Sequence, residues 1–115
     1  EQICGYILLS GVYIFYPYEK ADPRVRRFLG DEKYWEEAQP INNLREDLSP
    51  VFLAHGDTDQ EVSPQQSIRL SEKLTKLNVN NKLLIEENVG HLELLLETAQ
   101  RNVRVWEKIT KFLEN

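Results

Sequence analysis

The chain has no methionine and a single cysteine, and its Lys and Arg are outnumbered by Asp and Glu, 14 to 19. Each shortage excludes something. Cys4 has no second cysteine to pair with and sits in an apolar run, so it reads as a small buried hydrophobe. A formal net charge of -5 argues against a nucleic-acid or anionic-membrane partner, because phosphate binding needs clustered Lys and Arg. Long hydrophobic runs are missing too. The apolar stretch Ile3 to Phe15 is too short and too interrupted to span a bilayer, and it lacks the basic leader of a secretion signal. A cytoplasmic setting is therefore expected. A translation product starts with Met, so a chain that opens at Glu1 without one is expected to be processed, trimmed or partial.

What is present reads as a globular chain, 41% hydrophobic and 29% charged. Its 115 residues suffice for one core, and no repeat or linker divides them, so 1–115 is treated as one domain. Ile3 to Val12 suits a strand buried on both faces, with Gly11 letting the chain turn away. Tyr13, Phe15, Tyr16 and Tyr18 then surround Pro17, either packed beneath a loop or walling a pocket. Residues 20 to 49 read as loop with short helical pieces. One runs from Pro23 to Leu29 before Gly30; another is capped by Asp31 and stopped at Pro40. Trp35 packs under this segment or against a ligand. Lys20, Arg24, Arg26, Arg27 and Lys33 are interleaved with acids and read as a solvated face.

Val51 to Ala54 is the second predicted strand. Ser63-Pro64-Gln65-Gln66 predicts a helix start, with Ser63 as cap, Pro64 at the first position and Gln66 as the returning partner of a capping box. Leu70, Leu74 and Leu77 give that helix a core face. Lys82 to Glu86 is the third strand. A last helix is expected from about Leu94 to Leu113, with Val103, Trp106, Ile109 and Leu113 as its apolar stripe and Lys108 and Lys111 suiting its dipole. Alternating strands and helices imply an α/β fold with a parallel sheet.

In such a sheet the working loops lie at the carboxyl ends of the strands. Residues 55 to 62 and 87 to 91 are those loops. With neighbouring strands about 4.8 Å apart, Asp59 and His91 come within reach of each other. A carboxylate on one imidazole nitrogen fixes the tautomer and leaves the other nitrogen free as a general base. Metal readings fare worse. A calcium loop starting at Asp57 would need Gly and Glu where Val62 and Ile68 stand. His55, Asp57 and His91 have no recognisable zinc spacing. His55 is expected to hydrogen-bond backbone at a strand end. No cofactor is implied.

The segment His55-Gly56-Asp57-Thr58-Asp59-Gln60-Glu61-Val62-Ser63-Pro64, followed by Val89-Gly90-His91, resembles the acid and histidine segments of the α/β-hydrolase family. In that pattern Asp59 is the acid, His91 the base, and Asp57 a variable bystander. Phe28-Leu29-Gly30 and Tyr34 to Asn42, with Ser10-Gly11-Val12-Tyr13, resemble kynurenine formamidase-like and feruloyl-esterase-like enzymes. Prolyl-oligopeptidase-type hydrolases have similar tails. The resemblance implies the C-terminal part of an α/β-hydrolase fold: three parallel strands with flanking helices. It also implies a serine esterase or amidase acting on a small ester or amide, with Tyr13, Phe15, Tyr16, Tyr18 and Trp35 shaping the pocket.

The family's Gly-x-Ser-x-Gly nucleophile elbow and its oxyanion-hole motif do not occur in this sequence. Ser10 lacks the flanking glycine pattern, and Ser49, Ser63, Ser67 and Ser71 fall in a loop, a cap and a helix. The chain alone is expected to be nearly inactive. Its first strand would be an apolar edge, expected to pair with a missing N-terminal half, a second copy or a swapped segment. The competing expectation is a non-catalytic binding or assembly module in which Asp59 and His91 are structural.

Overall fold

The sheet is organised around a strand buried along its whole length. In the computed structural model, which describes residues 3–15, 27–28, 30–100 and 103–115, three strands run parallel. They are β1 (Tyr6–Leu9), β2 (Val51–Gly56) and β3 (Asn81–Glu86), side by side in that order. The helices are α1 (Trp35–Ala38), α2 (Gln65–Lys76), α3 (His91–Ala99) and α4 (Val103–Leu113).

Side chains alternate across a strand, and β2 uses both faces. Val51 and Leu53 pack with Leu70 and Leu74 of α2. Phe52 and Ala54 face the other way, with Leu94 of α3 and Val105 and Ile109 of α4. Phe52 also meets the Phe112 ring at a centroid distance of 5.5 Å. Two-sided burial is what a central parallel strand requires, since helices cover both faces.

Several elements differ from the sequence-based expectation. Strand β1 covers only Tyr6–Leu9. Ser10 leaves it in a left-handed conformation, φ 47°, so Ser10 rather than Gly11 makes the turn. Gly11 instead leaves room for the Tyr13 ring, which a Cβ there would overlap. Because the sheet starts at Tyr6, Cys4 lies outside it and is exposed, not buried. The single final helix is two, α3 and α4, and His91 is the first residue of α3 rather than part of the preceding loop. The buried stripe of α4 is Val105, Ile109 and the partly buried Phe112. Trp106 is 38% and Leu113 57% exposed, and the side chain of Val103 is outside those described. Lys108 reaches Glu86 at the end of β3, 2.9 Å away.

Ser63 Oγ accepts the Gln65 N–H, but Gln66 does not complete a capping box. Its amide crosses to the segment after β1. Oε1 accepts the N–H groups of Tyr13 and Ile14 at 2.9 and 2.7 Å, and Nε2 donates to the Ile14 carbonyl at 2.7 Å. Buried Gln39 accepts the Phe15 N–H at 2.7 Å, and Ile41 N–H donates to the Tyr13 carbonyl. Two glutamines thus satisfy backbone that no strand pairs. Among the described residues no helix is long and apolar enough to cross a membrane.

Candidate active site

The site begins where β2 ends. A Cβ on Gly56 would overlap the Val89 carbonyl, so only glycine lets the loops after β2 and β3 lie this close. Backbone bonds then join them: Asp57 N–H to the Glu86 carbonyl at 3.0 Å and Thr58 N–H to the Val89 carbonyl at 3.2 Å. Asp57 is no bystander. Its Oδ1 accepts the N–H of Asn88 at 2.7 Å, holding a residue whose own φ is 58°.

Asp59 is buried, with both carboxylate oxygens occupied. Oδ1 accepts the N–H groups of Glu61 and Val62 at 2.9 and 2.8 Å, the turn that leads into α2. Oδ2 lies 2.8 Å from His91 Nδ1. Burial alone would raise the Asp59 pKa, but the Val62 N–H, His91 and the Glu61 N–H outweigh it and hold the carboxyl below its ordinary value. Asp59 is therefore an anion at neutral pH, and His91 Nδ1–H donates to it.

His91 is placed by the start of α3. Gly90 precedes the helix, and Glu93 folds back to accept its N–H at 2.8 Å. Glycine has no side chain to return the bond, so only half of a capping box forms. The His91 side chain is 30% exposed, whereas that of Asp59 is fully covered. With Nδ1 on Asp59, Nε2 has no protein partner among the described residues. A neutral imidazole held this way has its basic nitrogen unengaged.

No serine fills that place. Ser49 donates to the Ile3 carbonyl, Ser63 caps α2, Ser67 meets His55 and Ser71 donates to Asn81. The buried Ser10 hydroxyl has no hydrogen-bond partner among the described residues.

His55, expected at backbone, is also part of the cluster. It is fully buried, 2.9 Å from the Val62 carbonyl and 3.1 Å from Asp59 Oδ2 through Nε2, and 2.8 Å from Ser67 through Nδ1. The sequence carried a signal for this: His55 falls on the same buried face of β2 as Val51 and Leu53, where a polar ring needs partners. Among the described residues no group of three or more His, Cys, Asp or Glu is arranged to hold a metal.

The aromatic residues separate. Tyr13 is 6% and Trp35 1% exposed, both packed inside, and the Trp35 indole N–H donates to the Gly30 carbonyl at 3.2 Å. Neither side chain is an open pocket wall here. Phe15 is partly buried. Tyr16 and Tyr18 lie outside the described residues, and of the expected helix from Pro23 only Arg27 and Phe28, both helical, are described.

Residues 16–115 match the model of the prolyl oligopeptidase family, which takes in both Asp59 and His91. The chain belongs to the prolyl oligopeptidase family. Its fold is that of the α/β hydrolases, with the three-stranded parallel sheet and flanking helices described above. Similar solved structures include the apo form of Thermogutta terrifontis esterase 2, 26% identical over 78% of this chain and 33% of that one, TM-score 0.64. The carboxylesterase Cest-2923 from Lactobacillus plantarum is 18% identical, covering 78% of this chain and 32% of that one, TM-score 0.64. A puromycin-hydrolyzing peptidase of Mycobacterium tuberculosis is 23% identical, covering 76% of this chain and 15% of that one, TM-score 0.62. The family member described here thus spans a third or less of the length of these solved structures. A search of curated proteins finds no match.

Proposed function

We propose that this chain is the acid- and histidine-bearing part of a serine hydrolase that cleaves a small ester or amide. The observation that carries the reading is the Asp59 Oδ2 to His91 Nδ1 bond of 2.8 Å, beside an Nε2 with no protein partner among the described residues. Membership of the prolyl oligopeptidase family and the likeness to esterases support it. In this reading a serine outside the chain attacks the carbonyl. His91 Nε2 takes its proton and passes it to the leaving group, while Asp59 holds Nδ1–H and stabilises the imidazolium. Residues 1–115 form one partial domain, completed by an N-terminal half or a second copy along β1. Phe15 and Tyr16 remain pocket candidates, while Tyr13 and Trp35 belong to the buried interior. A cytoplasmic setting belongs to the same reading, supported by a lone cysteine.

Two measurements test it. Purified chain should hydrolyse nitrophenyl esters no faster than its His91→Ala variant. Full-length protein carrying this segment should be labelled by a fluorophosphonate probe, and lose labelling on His91→Ala. A well-folded full-length protein that resists the probe would sink the hydrolase reading.

A further inference from the structure

The Asp59 oxygen that holds His91 receives a second ring nitrogen. His55 Nε2 lies 3.1 Å from Oδ2 and 2.9 Å from the Val62 carbonyl. A carbonyl only accepts, so Nε2 carries a proton and donates it to Val62, with Asp59 Oδ2 3.1 Å from the same nitrogen. Nδ1 of the same ring is 2.8 Å from Ser67 Oγ. Ser67 makes no other side-chain hydrogen bond among the described residues. The Tyr13 phenol lies near it; burial raises the Tyr13 pKa, with Ser67 and Gly11 offsetting part of the rise. Even so, the Tyr13 hydroxyl forms no bond of standard geometry among the described residues. The Ser67 hydroxyl hydrogen therefore has one acceptor, Nδ1, which fixes His55 as the neutral Nε2–H tautomer.

We propose that His55 is a positioning residue for the Asp59–His91 pair: the Val62 carbonyl and Ser67 fix its tautomer, and its Nε2–H stands 3.1 Å from the oxygen that binds His91. The two histidines then hold opposite tautomers on one carboxylate, Nε2–H in His55 and Nδ1–H in His91. Side chains of His55 and Asp59 are both 0% exposed, so water does not screen one from the other. The positive end of an N–H dipole beside an ionised oxygen lessens the pull of that oxygen on its hydrogen-bond donor. His55 therefore fixes the direction of Oδ2 and moderates its hold on His91. The role rests on the hydrolase reading; the tautomers do not.

Long-range 1H–15N correlation spectra of the labelled chain at neutral pH test this. His55 is expected to show a protonated Nε2 and an acceptor Nδ1, and His91 the reverse. A His55 with Nδ1 protonated overturns the proposal without any variant having to fold. Ser67→Ala removes the donor to Nδ1 and should shift the His55 Nδ1 resonance while Nε2 stays protonated on Val62; an unchanged His55 signal removes Ser67 from the device. Gln places its amide nitrogen where Nε2 stands, and Asn reaches only the Nδ1 position. His55→Gln should leave the His91 Nδ1–H proton near its wild-type shift, and His55→Asn should move it downfield. Equal displacement in both variants, or none in either, assigns His55 to packing. Failure of the hydrolase reading shows separately, as absent fluorophosphonate labelling with the tautomers intact.

Discussion

Asp59 is a carboxylate with three donors, two backbone N–H groups on Oδ1 and His91 on Oδ2, and the His55 ring 3.1 Å from Oδ2. Its folded pKa lies below the ordinary value, so its ionised form is favoured by folding. That stability is fully present above the unfolded carboxylate pKa of about 3.9 and is lost as pH falls through the lower folded value. Urea titrations across this acid range should show the wild type weakening and Asp59→Asn changing less. At neutral pH the same variant turns an amide toward donors and should lose about 1–3 kcal/mol. Gly56→Ala forces the Val89 segment away from β2, and His91 with it. It should lower the urea midpoint and weaken the His91 Nδ1–H resonance; an unperturbed resonance would count against the close approach. The motif named Asp59 and His91 from the sequence. His55 and Asp57 escaped it, because their partners, Ser67 and Asn88, become neighbours only when the strands pair.

At the scale of elements, β2, α2 and β3 were legible because burial on both faces, a Ser-Pro start and a leucine stripe leave marks in sequence. The break between α3 and α4 left none: neither glycine nor proline interrupts residues 91–113. The α4 stripe was misread because Trp106 and Leu113 compete with Val105 and Phe112 at equally helical spacing. Contact with Phe52 decides between them. Gln66 was legible as a helix-start residue and not as a cross-link, since its acceptors and donors lie more than fifty positions earlier. Gln66→Ala removes all three bonds to Tyr13 and Ile14. Amide hydrogen exchange at those two residues should accelerate while that of β2 stays slow.

For the whole molecule, the consequential feature is the outer side of β1, which no described strand pairs. Tyr6 and Ser10 send their N–H groups to Pro50 and Ala54 of the β2 chain. In a parallel ladder the alternate residues, Ile7 and Leu9, then point theirs the other way. Ile7 is 40% exposed there, and Leu92 and Leu96 of α3 are 65% and 47% exposed. An open apolar edge invites another strand. Sedimentation of the chain should therefore depend on concentration, and Ile7→Lys should reduce that dependence. A wild-type chain that stays monomeric throughout would leave the N-terminal half as the proposed partner.

The tie between Asp57 and Asn88 has a consequence for how such a protein comes together. Acid and base are joined by bonds made wholly within 57–91, across adjacent strands. On the proposed reading, that part of the site is assembled before any serine-bearing half arrives, so mixing two separately made halves should recover fluorophosphonate labelling without an unfolding step.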